Sequence, residues 1–503
     1  MSEKPIIGID FGTTNSEVAI WTGGRVEVVE EDGQAILPSY VGFDPAGGLL
    51  VGAQARNQYA LYPDRTVRSI KRRLGSEEKI TLGEKAYAPQ EIAAIIMREL
   101  KARAERRLGE PVERAVITIP AQASDAQRQA TRDAGRIAGL DVVRIVNEPT
   151  AACLAYESAE EKSARTVLAF DLGGGTFDVS IVRVEDDVTE VLTSHGDNHL
   201  GGDDIDALVA GWIRGRLRGP DLPEAAYAGE LTREAEYRIH EIAERAKIQL
   251  TEQPYAGIAA ANLRAADGAE LHLDTQFSRM DLESLIEPLR RRMRTAVHQA
   301  LSGAQMLPGA IEEIILVGGA TRMPAIQQLL EEVFGRRPRR DVHPELAVAY
   351  GAGVMAARLM GEDQRKVLID ITPYTFGTSA LGQVDGELTE HQFVPVITAG
   401  TPLPVSKAEL FATVFDEQEA VDVQIFQGEH PDARQNLLIG RFLIEGLAPV
   451  PAGNQVLIHM ALDLDGILRV TATEKSTGLS KDVKIENALA KLSPEEIERA
   501  RAA

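Results

Sequence analysis

The chain carries a single cysteine, Cys153, in 503 residues, which excludes an intramolecular disulfide. No apolar run approaches the roughly 20 residues of a membrane-spanning helix. The N-terminus lacks the basic-then-apolar profile of a secretory signal. A cytoplasmic location and no membrane partner are therefore expected. Positive charge is scarce: 54 Lys and Arg face 76 Asp and Glu, for a net charge of -22, which disfavours nucleic acid and favours solubility or basic partners. There is no G-x-x-x-x-G-K-S/T loop and no H-E-x-x-H pair. His195 and His199, with Asp197 between them, have the look of metal ligands, but glycines 196, 201 and 202 mark a loop and no metal is expected there. Cys153, flanked by Ala and Leu with no His near it, reads as helix packing. "GAGVMA" (Gly351 to Ala356) matches a loose dinucleotide pattern, but its surroundings are helical and it reads as small residues on a packed helix.

What is present is a repeated hairpin. "IIGIDFGTTNSEVAI" (Ile6 to Ile20) is an apolar strand ending in Asp10, a turn through Gly12, Thr13, Thr14 and Asn15, and a second strand. Such a turn can aim backbone amides and Thr hydroxyls at one anion. A carboxylate beside a phosphate is repelled unless a divalent cation stands between them, so Asp10 asks for magnesium nucleotide. A plain hairpin with a structural Asp is the alternative on this stretch alone. "VLAFDLGGGTFDVSI" (Val167 to Ile181) repeats the grammar, placing Asp10 on Asp171, Gly12 on Gly173, Glu17 on Asp178, Val18 on Val179 and Ile20 on Ile181. Two related lobes gripping one phosphate chain are expected.

Strands alternate with helices from Met1 to about Gly361, the pattern of an α/β fold with mostly parallel sheets. Ile92, Ile95, Ile96 and Leu100 give the run from Pro89 to Arg107 helical periodicity. In "IEEIILVGGATRMPAIQQLLEEVFG", Gly318 and Gly319 form a strand-to-helix turn that could admit a ring or ribose, or simply be tight. Glu244, Lys247 and Thr251 share one face of a helix expected from Thr232 to Thr251. They could meet a ribose or base edge, or Glu244 and Lys247 could be a solvated ion pair. After Gly361 a charged strip, "EDQRK", and a short apolar one, "VLIDITP", form a linker. Period-two runs then dominate, as in a β-sandwich. Ser493, Pro494 and Glu496 signal a helix start just before the chain ends.

Together "GIDFGTTNS", "VNEPTAA" (146 to 152), "FDLGGGTFDVS", "HLGGDD" (199 to 204), "ILVGGATRMP" (315 to 324) and "AVAYGA" (347 to 352) resemble the 70-kDa heat-shock chaperones of DnaK type, over almost the whole chain. The resemblance implies a two-lobed actin-like ATPase domain with a duplicated core (1–361), a linker (362–372), an all-β sandwich for peptide (373–487) and the start of a helical lid (488–503). It implies ATP/ADP and Mg2+ as ligands, with K+ left open, and hydrolysis to ADP and phosphate. Asp10 and Asp171 then act around hydrated Mg2+, while Gly12, Thr13, Thr14, Asn15, Gly173, Gly174, Gly175, Thr176, Gly201 and Gly202 surround the phosphates. Lys71 matches the catalytic lysine and Glu148 the carboxylate that positions water, with Asp178 a candidate proton acceptor. Glu244, Lys247, Thr251, Gly318, Gly319, Arg322 and Glu345 fall on the adenosine side. Pro120 and Arg128 match a nucleotide-sensing switch, and Arg144 with Asp370 a pair that docks the linker. Thr378, Phe411, Val421, Val423 and Ile467 match the peptide pocket, and Leu381 and Val414 an arch over it; without the resemblance they would read as sandwich core. Partners implied are unfolded or extended polypeptides, a J-domain co-chaperone and a nucleotide exchange factor, with the chain a monomer.

The chain also departs from the family pattern. Thr378 replaces a pocket Ile, which makes that site more polar, and Gln122 stands where a Tyr is usual. The segment between Lys71 and Glu148 is short, the linker strip lacks one residue, and most of the lid is absent. Two other classes share such a cleft, an ATP-timed filament protein and a small-molecule kinase; the β-rich region opposes the first, and the second requires a phosphorylated metabolite.

Overall fold

The computed structural model describes residues 4–156, 164–185, 188–218, 227–339, 343–362, 367–484 and 494–502. The strand Ile6–Phe11 is buried along its whole length, because it lies inside a sheet covered on both faces. It pairs antiparallel with Asn15–Thr22 and parallel with Arg114–Ile119. The strands Asp141–Asn147 and Arg25–Val28 extend the sheet at either side. Side chains alternate across a strand. Ile7, Ile9 and Phe11 therefore enter one core with the helix Pro89–Leu108, while Ile6 enters another with the helix Ala347–Leu359. Asp10 shares the face of Ile6 and Gly8, at the strand's open end. The "GAGVMA" helix packs so closely on this strand that a Cβ on Gly8 would stand 2.3 Å from the Ala352 carbonyl carbon, in keeping with the packed-helix reading.

The second sheet repeats the plan. Arg165–Leu172 pairs antiparallel with Phe177–Glu185, which pairs with Val188–Asp197, and Glu313–Val317 runs parallel on the other side. The duplication extends to register: Asp10 faces Glu17 across the first hairpin, and Asp171 faces Asp178 across the second. Phe170 and Phe177, with ring centroids 4.8 Å apart, anchor a core shared with the helices Gly202–Arg214, Arg233–Glu252 and Arg279–Gly303. The helices Glu148–Ala155 and Ala347–Leu359 fill the space between the two sheets, and Cys153 is buried there.

Beyond residue 367 the structure changes class. Val367–Ile369, expected as linker, adds a parallel edge strand to the second sheet beside Val188–Glu190. Residues 363–366, which hold most of the charged strip, lie outside the described residues. Two four-stranded sheets follow: Glu387–Ile397, Phe376–Val384, Ala420–Gln427 and Leu437–Glu445 in one, and Val405–Ala412, Gln455–Leu462, Leu468–Glu474 and Ser480–Lys484 in the other. Their facing apolar residues make one sandwich core. The expected boundary at 487/488 and the Ser493 cap lie outside the described residues. The terminal helix Pro494–Ala502 rests on the first sheet's core through Ile497 and Ala500, and Arg98 Nη2 donates to the Ala500 carbonyl at 2.9 Å.

The sandwich is held to the first sheet by the turn before Leu468. Asp465 accepts from Arg132, and from the Ile145 amide at 2.9 Å, while its carbonyl accepts from Arg128 Nη1 at 3.4 Å. Removing this carboxylate leaves a half-buried guanidinium and a strand amide without their acceptor. Asp465→Ala is expected to raise the hydrogen-exchange rate of the Ile145 amide about tenfold or more, equivalent to about 1.4 kcal/mol of lost protection. Exchange rates inside Leu468–Glu474 should stay unchanged.

Candidate functional site

The two hairpin turns meet. A Cβ on Gly174 would stand 1.8 Å from Thr14 Oγ1, so the second turn approaches the first as closely as only glycine permits. Gly175 lies in the same way against Thr13. Gly202 and Asp203 donate their amides to the Gly173 and Gly174 carbonyls at 2.9 and 2.8 Å, which fixes the second turn from behind, and Gly201 lies against Gly174. Arg72 joins the two sides, donating to the Gly175 carbonyl at 2.8 Å and to Asp204 at 2.7 Å. Its neighbour Lys71 was the residue the sequence singled out; Arg72 offered no separate signal.

Between the turns lies a cavity of about 90 Å³. Asp10, Glu17, Glu148, Asp171 and Glu345 line it with one ammonium, Lys71, together with Gly12, Asn15 and Thr176. Lys71 bonds Glu148. Burial works against the Lys71 charge, but the Glu148 and Asp10 carboxylates outweigh it and hold its pKa above the usual lysine value. Burial pushes Asp10 up to about 7, helped by the Glu148 charge and opposed by Lys71 and by the Thr118 hydroxyl donating at 2.8 Å. Burial, then the charges of Glu148 and Asp178, raise Asp171 well above the carboxylate range, and its Oδ2 is buried with no hydrogen-bond partner. An orphaned carboxylate oxygen in a cavity with this charge imbalance fits a cation. Among the described residues no three His, Cys, Asp or Glu side chains converge to hold a metal directly, so such a cation takes its remaining ligands from water or a bound anion.

Asp178 is buried beside Glu148 and Asp171 without lining this cavity. Burial pushes it up to about 7, while the backbone N–H groups of Gln122 and Ala121 donate to it and oppose the shift. Glu17 was not among the expected site residues, although the repeat itself aligns it with Asp178. It is 2% exposed, and burial followed by the Asp10 and Glu345 charges raises its pKa well above the carboxylate range.

An adjoining cavity of about 380 Å³ brings Glu244, Lys247, Thr251, Gly319, Arg322 and Glu345 together. Glu244 and Lys247 do not pair with each other: Glu244 takes Arg56 at 3.4 Å, from the other side of the cleft, and Lys247 takes Asp206 at 2.8 Å. Arg322 lies 3.4 Å from Glu345. Gly318 has φ +81°, and a Cβ there would meet the Leu172 carbonyl oxygen at 2.3 Å, so the turn is tight as well as lining the smaller cavity.

Of the switch residues, Arg128 donates to Asn147 Oδ1 at 2.9 Å, and Pro120 lines a small space behind Lys71 and Thr176. The expected Arg144–Asp370 pair is not the contact formed. Arg144 lies nearest Asp465, at 3.8 Å, and Asp370 accepts from Asn147 at 2.9 Å and Thr150 at 3.4 Å. Arg144 makes no hydrogen bond to Asp465 through Nε, and its charge still reaches Asp370.

In the sandwich a cavity of about 440 Å³ is lined by Thr378, Leu381, Phe411, Val414 and Val421. Val423 and Ile467, expected in the peptide pocket, do not line this cavity. Val423 packs inside the sandwich core, and Ile467 sits in the turn after Gln455–Leu462, its amide on Asp463 Oδ1 at 3.0 Å. Register sets the lining: Phe411 pairs with Val456, so Val456 and Ile458 line the cavity, while Ile467 lies in the turn beyond Leu462. Thr378 adds less polarity than its type implies, because its hydroxyl donates to the Gln424 carbonyl at 2.7 Å.

The raised pKa of Asp178 has a measurable consequence. An unfolded Asp titrates near 3.9, so between about pH 4 and 7 the folded chain holds a proton that the unfolded chain has lost. That stabilisation is complete below about pH 4 and is lost as pH rises through about 7. Trp21 and Trp212 lie outside the sandwich and so report the two lobes alone. By their fluorescence, Asp178→Asn is expected to flatten the fall in urea resistance of the nucleotide-free protein between about pH 5 and 8, by on the order of a few kcal/mol. An unchanged slope contradicts the assignment.

The Hsp70 protein family profile matches residues 6–81 and 76–503. The chain is 42% identical to the chaperone protein DnaK of Thermotoga neapolitana over 99% of its own length and 83% of that protein. It is also 42% identical to the chaperone protein DnaK of Thermus thermophilus, over 98% of its own length and 82% of that protein. Among the described residues no helix is long and apolar enough to cross a membrane. With two glycine turns of one duplicated hairpin closing on a shared anionic cleft, and a sandwich behind them, the chain belongs to the Hsp70 family.

Proposed function

We propose that this protein is an ATP-dependent molecular chaperone, an ATPase whose nucleotide cycle governs binding and release of extended apolar segments of unfolded polypeptides. The observation that carries this is the meeting of the Thr13–Thr14 and Gly174–Gly175 turns over Lys71, with the sandwich cavity in the same chain. Asp10 and Asp171 are the residues that would hold hydrated Mg2+, whose chemistry is to neutralise phosphate charge; K+ beside it fits the remaining negative charge. The two turns cradle the triphosphate with backbone amides and the Thr13, Thr14 and Thr176 hydroxyls. Lys71, held charged between Glu148 and Asp10, stabilises charge developing at the γ-phosphate, and Glu148 orients the attacking water. Asp178 acts from behind Asp171. The cavity at Glu244, Lys247 and Arg322 takes the adenosine.

In the sandwich, strand-like backbone hydrogen bonds and one Leu-sized pocket supply peptide affinity. The proposed division is 1–361 for nucleotide, 362–372 for the linker and 373–487 for peptide, with 488–503 opening a lid helix. A J-domain co-chaperone, a nucleotide exchange factor, a monomeric state and a cytoplasmic location complete the reading.

The central experiment is ATP turnover by the purified protein with and without an extended apolar peptide. Stimulated release of inorganic phosphate supports the reading, whereas a phosphorylated metabolite or sedimenting polymer would favour the kinase or filament classes. Lys71→Ala is expected to slow single-turnover hydrolysis about a hundredfold or more while Mg-ATP still binds; retained turnover removes Lys71 from the chemistry. Thr378→Val is expected to leave apolar-peptide affinity within about twofold, since the hydroxyl is already turned onto Gln424. A larger gain would mean that the hydroxyl faces the peptide.

A further inference from the structure

Three parts of the molecule meet on Gln122. This residue lies between the strand Arg114–Ile119 and the helix Asp125–Ile137, in a turn closed by the Ala123 amide on the Pro120 carbonyl at 3.1 Å. Its carbonyl accepts from the Tyr374 hydroxyl at 2.5 Å and from Asn198 Nδ2 at 2.7 Å. Its amide donates to Asp178 Oδ1 at 3.3 Å, and its side chain donates to the Ser194 carbonyl at 3.0 Å. Pro120 and Ala123, at either end of the turn, line the small space behind Lys71 and Thr176. Tyr374 comes from the other end of the molecule: it precedes the first sandwich strand, Phe376–Val384, and packs against the sandwich core.

The turn has little freedom, since Pro120 fixes one φ and the Pro120–Ala123 bond closes it. A donor lost from the Gln122 carbonyl is therefore felt at the Gln122 amide and at the carboxylate it holds. We propose that Tyr374 is a positioning residue that reports the docking of the sandwich to the nucleotide cleft, acting through the Gln122 turn on Asp178 and so on Asp171 and Glu148 beside it. This rests on the reading of the chain as a peptide-responsive ATPase. Tyr374 in place ties the buried carboxylate cluster to the sandwich; Tyr374 withdrawn leaves the cluster answering to the nucleotide lobes alone.

The test is Tyr374→Phe in the full chain, which keeps the ring and its packing and deletes only the donor. Single-turnover hydrolysis with and without an extended apolar peptide is expected to converge to within about twofold, with the Kd for ATP unchanged. In an Asp178→Asn background the same substitution should add nothing, because both act along one path. Hydrogen exchange at the Gln122 amide, which requires no turnover, should rise about tenfold. A full peptide response in Tyr374→Phe, effects that multiply with Asp178→Asn, or unchanged protection at Gln122 each overturns the proposal. Failure of the parent chain to hydrolyse ATP strikes the functional reading instead, and the exchange measurement still decides the link.

Discussion

One ammonium group sets the charge balance of the nucleotide cleft. Lys71 is buried among Asp10, Glu148 and Asp171, and among the described residues no second Lys or Arg lines that cavity. Removing charged groups from water costs several kcal/mol each, and their mutual attraction rarely returns a surplus, so this cluster is no stabilising device. It makes sense as a site kept short of positive charge. Burial and neighbouring charge push Asp10 up to about 7 and Asp171 well above the carboxylate range, so an entering cation favours their ionised forms. The same imbalance raises the pKa of Lys71 against the cost of its burial, so a fixed positive charge stands among the carboxylates.

Much of this was legible because its signals are local. A strand alternates with period two and a glycine turn reverses it, so the two Asp–Gly hairpins and their internal alignment follow from short stretches of chain. What stayed hidden depends on partners distant in sequence. The alternation in "NQVLIHMALDLDGILRV" offers several apolar residues of equal standing, and only the pairing of Phe411 with Val456 decides which of them lines the cavity. The partners of charged groups stay open for the same reason. Lys247 and Glu244 share a helix face, yet Asp206 and Arg56 outcompete their mutual attraction, and neither partner is nearby in the sequence. Tyr374 carried no motif at all; its meaning comes from the carbonyl it reaches.

The contacts between sandwich and nucleotide lobes divide into two kinds. Asp465 is an anchor, with Arg132 and the Ile145 amide on one carboxylate, charge-assisted and largely shielded from water. The strand Val367–Ile369 is a lighter attachment: three residues at a sheet edge, with Val367 about half exposed. So short an edge strand contributes few ladder bonds and little apolar burial, and its docked and undocked states need differ by only a few kcal/mol. A nucleotide or peptide with a modest preference between the two can move such an equilibrium, whereas a deeply interdigitated interface would resist both.

That division explains why the polar contacts cluster where they do. Asp370, at the end of the short edge strand, is buried with Asn147 and Thr150, next to Glu148 on the same helix entrance. Arg128 holds Asn147 from the other side and touches the Asp465 carbonyl. A movement of the sandwich therefore changes the partners of Asn147, and Asn147 is the residue before the carboxylate that pairs Lys71. The Tyr374–Gln122 contact reaches Asp178 by a separate path. Two hydrogen-bond paths thus lead from the start of the sandwich toward the cleft, one through Asp370 and Asn147 to the neighbour of Glu148, the other through Tyr374 and the Gln122 turn to Asp178. Such bonds carry a two-state signal well, because a half-made arrangement costs more than either end state.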